Sequence, residues 1–294
     1  MSDKLVSICI PSRDELFLQK TTQDVLDKAT GEIELFVVLN DQTEPVEEIK
    51  DKRLKYIRLT SKNGETLKRQ SINLVSEISQ GKYLMWLDAH CMMAKGFDEQ
   101  LIKDHQDNWV QIPRRNRLDP EKWSLQPQSD DRPPIDYEYT MFPLKFDPPG
   151  LHGFKWDART LERWDIPLDE TMTCQASCIF MTKEWFKKNG FMRLDGYSGW
   201  GQESEEVCFT TWLRGGKVMT NKKTSYSHLH KGSKFGRMYF MTRDSMRKCN
   251  EFSYDFWLND RLTDRIHNFG WLIDKFSPLP GWPKNWREQL GYKG

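Results

Sequence analysis

Short blocks of unbroken apolar residues alternate with longer amphipathic stretches through the first ninety positions. Leu5 to Ile10 reads as a strand that stops at Pro11-Ser12-Arg13-Asp14, and 15–29 reads as a helix. A second strand, Ile33 to Leu39, stops at Asn40-Asp41, and a third covers 55–59. After Asn63-Gly64, a helix over about 65–79 turns Leu67, Ile72, Leu74, Val75 and Ile78 to one side. Gly81 ends it. Then Tyr83-Leu84-Met85-Trp86-Leu87, apolar throughout, breaks abruptly into Asp88-Ala89-His90-Cys91. All-apolar strands separated by helices predict a parallel sheet covered on both faces, with right-handed crossovers. That topology delivers Ser12, Asn40 or Asp41, and Asp88 to one edge, where ligands of open α/β sheets bind.

The pattern is less regular further on. Pro113, Pro133-Pro134 and Pro148-Pro149-Gly150 punctuate 104–170, which reads as a loop-rich insertion. Its aromatic residues, Trp109, Trp123, Tyr137, Tyr139, Phe142, Phe146, Phe154, Trp156 and Trp164, need burial, which argues against a disordered linker. Regular structure resumes over 173–181, and a short helix over 183–189 is stopped by Gly190. Gly199-Trp200-Gly201-Gln202-Glu203-Ser204-Glu205-Glu206 predicts a tight loop feeding a helix that ends at Gly215-Gly216. A short strand over 217–219 precedes Ser225-Tyr226-Ser227-His228-Leu229-His230. From 231 onward the chain is basic and aromatic, then helical and irregular.

Composition narrows the class. Only 37% of residues are hydrophobic, but 12 Trp, 16 Phe and 9 Tyr supply enough aromatic area for a packed core. The 44 basic and 43 acidic residues cancel, so the whole chain carries no field for a polyanion; nucleic acid would need a local patch. The start of the chain lacks the apolar region of a signal peptide and no run suits a membrane helix, so a cytoplasmic location and no membrane partner are expected. Cys9, Cys91, Cys174, Cys178, Cys208 and Cys249 form no Cys-x-x-Cys pair and sit mostly in apolar runs, as buried thiols do.

The candidate chemistry lies where patterns break. Asp88 and His90, two apart at a strand end, can face one divalent cation, although such a tripeptide also serves as a plain strand-ending turn. Glu205 and Glu206 at a helix start suit catalysis and also simple matching of the helix dipole. His228, with His230 as alternate, offers a neutral imidazole. Between 231 and 250, Lys231, Lys234, Arg237, Arg243, Arg247 and Lys248 face a single acid, Asp244, with Phe235, Tyr239 and Phe240 interleaved. That suits a diphosphate clamp, a nucleic-acid strand or a solvated helix face.

Taken together, Val6 to Ser12, Ile33 to Val38, Asn63-Gly64 with Arg69, and Gly81 to Leu84 ending in Asp88-Ala89-His90 resemble the nucleotide-sugar half of a GT-A glycosyltransferase. The Asp-x-His form, in place of the usual Asp-x-Asp, is similar to the polypeptide N-acetylgalactosaminyltransferases, and phage-type soluble glycosyltransferases are a further likeness. The Gly199 to Glu206 block resembles their Trp-Gly-Gly-Glu-Asn-x-Glu segment, with Glu203 and Glu206 on the two carboxylates and Gln202 in place of a glycine.

The resemblance implies a GT-A fold: a mixed, mainly parallel sheet flanked by helices. The catalytic domain spans 1–230, its nucleotide-sugar half 1–100 and its acceptor half 101–230, and 231–294 packs back on it as a basic-aromatic extension. It further implies a UDP-sugar donor, Mn2+ or Mg2+ held by Asp88, His90 and His228, and donor contacts from Pro11, Ser12, Arg13, Asn40, Asp41, Arg69, Gln175, Ala176 and Trp200, with Glu203 and Glu206 catalytic. Related inverting enzymes carry an aspartate base right after the first glutamate. Here Ser204 stands there, too weak a base to act unaided, which points to a retaining course. Hydroxymethylated pyrimidine in DNA, reached through 231–250, is the first acceptor to expect, followed by a protein hydroxyl or a cell-envelope precursor. The competing classes are a nucleotidyltransferase, which a glycine-rich loop after the first strand would favour and 11–15 lacks, and a non-catalytic carbohydrate-binding protein.

Overall fold

The computed structural model describes residues 3–129, 131–143, 150–197, 201–232, 234–236 and 243–294. β1 (Val6–Ser12), α1 (Leu18–Lys28), β2 (Ile33–Asn40), β3 (Leu54–Leu59), α2 (Lys68–Ile78) and β4 (Tyr83–Leu87) follow the alternation expected from the apolar blocks. β5 (Cys91–Met93), α3 (Phe97–Lys103), β6 (Trp109–Asp119), β7 (Ser124–Leu125), β8 (Glu138–Thr140), β9 (Gly153–Lys155), α4 (Asp157–Glu162) and β10 (Leu168–Glu170) come next. β11 (Cys178–Thr182), α5 (Lys183–Lys188), α6 (Glu203–Leu213) and β12 (Lys217–His228) complete the sheet, and α7 (Arg243–Leu258), α8 (Phe269–Phe276) and α9 (Trp286–Leu290) close the chain.

The architecture is mixed α/β, a mostly parallel central sheet flanked by helices. Its main path runs β10-β12-β6-β11-β4-β1-β2-β3. β3, β2, β1 and β4 pair in parallel, as do β6 and β12, while β11 runs antiparallel to both β4 and β6. Every residue of β2 and β4 is buried, which is the environment their unbroken apolar runs require. Gly81 is needed ahead of β4: a Cβ there would stand 2.4 Å from Ser7 Oγ and 2.7 Å from Leu5 O.

The region read as loop-rich holds an eleven-residue central strand, β6. Pro113 sits inside it and cannot donate to the ladder. The neighbouring strand β12 accommodates this by bulging, the register jumping from Asn221 opposite Pro113 to Ser225 opposite Arg114. β12 is correspondingly long, twelve residues where a short strand over 217–219 was expected. Its far end matters most, because β5 pairs antiparallel with it and sets His228 opposite Cys91, beside the turn that follows β4.

One large apolar cluster runs from Val6 to Tyr292. The C-terminal helices join it through aromatic edges: Trp257 and Phe269 meet Phe209 of α6 at 5.4 Å, and Phe276 meets Trp212 at the same distance. All six cysteines are buried thiols, and Cys174 and Cys208 approach to 3.5 Å between sulfurs.

Candidate functional site

A cavity of about 530 Å³ opens at the carboxyl ends of the parallel strands. β1 delivers Pro11 and Ser12 to it, β2 delivers Asn40, the turn after β4 delivers Asp88 and His90, and β12 delivers His228. Gln175 and Ala176 reach it from the loop before β11, and Gln202, Glu203, Ser204 and Glu205 from the start of α6.

Asp88, His90 and His228 each present a ligand atom within 4.8 Å of the others. His228 Nε2 lies 3.4 Å from Asp88 Oδ2. His228 is buried, and neither of its ring nitrogens finds a hydrogen-bond partner among the described residues. Burial pulls this imidazole down to about 3, with His90 adding to the effect and Asp88 opposing it, so the ring is neutral at physiological pH and keeps a lone pair to offer. Burial alone would raise the Asp88 carboxyl, but Lys68, His228 and His90 overrule it and hold it well below the usual range. One carboxylate and two imidazoles, with ring nitrogens that find no hydrogen-bond partner among the described residues, fit a divalent cation of the manganese type. His230 is exposed and stands outside the cluster, its ring edge-on to His228 at 5.4 Å. The structure therefore groups His228, not the alternate, with the Asp-x-His pair.

Of the other donor-side residues named from sequence, Pro11, Ser12, Arg13, Asn40, Gln175 and Ala176 line the cavity. Asn40 also receives the Leu67 amide at 2.8 Å, which pins the start of α2 to the sheet edge. Asp41 turns aside: it accepts from the Ser61 amide and hydroxyl at 2.8 and 2.6 Å and pairs with Arg13 at 3.7 Å. Arg69 and Glu206 answer each other rather than the cavity, forming a buried ion pair behind its wall. Glu203 does line the cavity, both its oxygens accepting from the Gly201 amide at 3.1 Å. Trp200 lies outside the described residues.

Three charged residues missed by sequence reasoning stand at the site. Lys68 sets Nζ 2.7 Å from Asp88 Oδ1 and 3.0 Å from the Ala176 carbonyl, placing a cation at the start of α2, where anions bind. Glu15 sits behind His90, its Oε2 3.3 Å from Nδ1, and also accepts from Lys231 at 2.7 and 2.6 Å. Arg115 of β6 is buried against Glu138 at 3.1 Å and against Gln175. The signal for Lys68 lies in the sequence, since it opens the helix that also carries Arg69. Glu15 and Arg115 gave none, because their roles depend on β12 and β6.

Residues 7–190 match glycosyl transferase family 2. The chain belongs to that family. This family 2 glycosyltransferase is 22% identical over 248 residues to a Drosophila melanogaster protein named polypeptide N-acetylgalactosaminyltransferase 13, covering 71% of the chain and 42% of the relative. It is likewise 22% identical over 199 residues to N-acetylgalactosaminyltransferase 8 of Caenorhabditis elegans, covering 65% and 44%. The chain thus spans under half the length of these curated relatives. Among solved structures, GalNAc-T7 with UDP, GalNAc and Mn2+ superposes with a TM-score of 0.64 at 16% identity, over 98% of this chain and 55% of the other. Staphylococcus aureus TarS 1-349 in complex with UDP-GlcNAc gives 0.54 at 12% identity, over 89% and 68%. The fold of this transferase is accordingly that of GT-A enzymes.

Proposed function

We propose that the protein moves a sugar from a UDP-sugar to an acceptor hydroxyl with the help of a divalent cation. The carrying observation is the Asp88-His90-His228 cluster at the floor of the strand-end cavity, with Lys68 beside it. In this reading the three clustered residues hold Mn2+ or Mg2+, which neutralises charge on the departing diphosphate. Ser12, Arg13 and Asn40 read the nucleoside, Lys68 meets the diphosphate, and Gln175, Ala176 and Glu203 border the sugar. Arg69 and Glu206 are reassigned to holding the wall in place. Two named neighbours were solved with UDP or UDP-GlcNAc, which favours UDP as the donor nucleotide.

DNA as acceptor draws no support from the surface. Within 231–250, Lys231 pairs with Glu15, Lys234 with Glu121, Arg247 with Asp244 and Glu251, and Lys248 with Asp244. Arg237, Tyr239 and Phe240 lie outside the described residues. Among the described residues, no helix is long and apolar enough to cross a membrane.

The test is UDP release from UDP-GalNAc, UDP-GlcNAc and UDP-glucose in Mn(II), followed by mass spectrometry of hydroxymethylated DNA, protein and envelope-precursor acceptors. At least one donor should be consumed, with a loss of at least about tenfold when EDTA replaces the metal. Equal rates with and without metal would remove the metal-dependent reading.

A further inference from the structure

Glycosyl transfer to a hydroxyl needs somewhere for the hydroxyl proton to go, and the position right after Glu203 is a serine. Ser204 does not act alone. Its hydroxyl donates to Glu205 Oε2 at 2.8 Å, and the Gly153 amide donates to Glu205 Oε1 at 2.8 Å. Two hydrogen bonds fix this carboxylate in the cavity wall with a lone pair remaining on each oxygen. Resting on the glycosyl-transfer reading, we propose that Glu205 is the general base that takes the acceptor proton.

The surroundings suit that task. A methyl group placed on Gly153 would stand 3.1 Å from Glu205 Oε1 and 3.6 Å from Glu138 Oε2, so two carboxylates flank one glycine in the same wall. Arg115 compensates Glu138 at 3.1 Å, while no cation is paired with Glu205 among the described residues. Burial pushes Glu205 up to about 7; the Ser204 hydroxyl and the Gly153 amide moderate the rise, and Glu138 adds to it. Cys174 from the loop before β11 and Tyr197 from the loop before α6 also face it, and His152, next to β9, shares the wall. A carboxylate that exchanges its proton near neutrality is matched to general-base work.

An independent sign of a ligand lies next door. Gln202 is 6% exposed, lines the cavity and donates Nε2 to Asn250, yet its Oε1 has no partner among the described residues. A buried acceptor without a partner, on a residue that lines the cavity, calls for a donor, and a sugar or acceptor hydroxyl supplies one. Glu203 lines the cavity too, but its two oxygens share the Gly201 amide at 3.1 Å, close to it in the chain, whereas Glu205 reaches across to the Gly153 wall.

The step balances as follows. The acceptor O–H bond breaks and its proton moves to Glu205, while the acceptor oxygen bonds to the anomeric carbon from the face opposite the diphosphate. The bond from that carbon to the diphosphate oxygen breaks, and its electron pair leaves with the diphosphate. Transfer then inverts the anomeric centre, and the retaining course inferred from Ser204 is replaced.

The experiment uses the full chain with Mn(II), UDP-GlcNAc and UDP-GalNAc as donors and water as acceptor. Glu205→Gln should lower UDP release about 100-fold while UDP affinity by calorimetry stays within about threefold. Proton NMR of the first sugar released from these α-linked donors should show the β anomer. Ser204→Ala, which keeps the carboxylate but removes the hydrogen bond to its charged form, should shift the acidic limb of the kcat/KM profile to higher pH; it serves even if Glu205→Gln fails to fold. A Glu205→Gln rate within about threefold of the parent, an α product, or an unmoved limb in Ser204→Ala would each overturn the assignment while leaving glycosyl transfer standing. A parent that releases no UDP from these two donors or from UDP-glucose would contradict glycosyl transfer itself, and this inference with it.

Discussion

Asp88→Ala is expected to reduce UDP-sugar turnover on the order of 1000-fold, about 4 kcal/mol of transition-state stabilisation. The size follows from how many partners meet at this carboxylate. It is the one anionic member of the Asp88-His90-His228 cluster, it stands 2.7 Å from Lys68 Nζ, and it caps the strand that organises the site. Its removal leaves only two imidazoles, which bind Mn(II) weakly without an anionic ligand. Lys68 loses its counter-charge at the same time. Asp88→Asn, which preserves volume, should lose nearly as much, because the negative charge and not the shape is at issue. UDP release followed across a Mn(II) titration checks this: both variants should stay slow even at saturating metal. Parent-like turnover in Asp88→Ala would remove the cluster from the chemistry.

The other large effect concerns stability. Arg69→Met should destabilise the fold by about 3 kcal/mol, because it leaves the Glu206 carboxylate in the interior with only the more distant Arg193 Nε, at 4.0 Å, as counter-charge. Arg69 and Glu206 are 2% and 4% exposed at the side chain, and each is tied further. Arg69 Nη2 donates to the Gly201 carbonyl at 3.0 Å and the guanidinium lies 4.0 Å from the centre of the Tyr197 ring, while Glu206 accepts from the Arg193 amide at 2.8 Å. The pair thus bolts α2 to the loop that leads into α6. Thermal unfolding should fall on the order of 10 °C for the single variant. Arg69→Met combined with Glu206→Leu should regain most of the loss, since an apolar pair leaves no charge behind. If Arg69→Met melted with the parent yet lost turnover, the pair would belong to catalysis instead.

How far the sequence reached depends on whether a residue's partner was close in the pattern. β1, β2 and β4 were legible because burial on both faces leaves nothing but apolar residues in them. The edge they share was therefore legible too, together with Pro11, Ser12, Asn40 and Asp88. β6 was not, because Pro113 and the arginines around it look like a loop until their partners are known. Arg114 is matched by Asp136 and Arg115 by Glu138, carboxylates more than twenty positions away, and the Pro113 gap is absorbed by the bulge in β12. The pairing of Arg69 with Glu206 was illegible for a related reason. Burial of two opposite charges against each other, 137 positions apart in sequence, leaves no local signature. Likewise the sequence marked Ser204 as a missing base, but only the folded chain sets Gly153 and Glu138 around Glu205 and turns the neighbouring carboxylate into a replacement.

Isothermal titration of UDP into the protein, once in Mn(II) and once in EDTA, bears most directly on the role of the Asp88-His90-His228 cluster. Binding tightened by Mn(II) at least about tenfold, 1.4 kcal/mol, and lost in His228→Ala, is the expected result. Equal affinity in both buffers would contradict a metal-assisted diphosphate site at the end of β4.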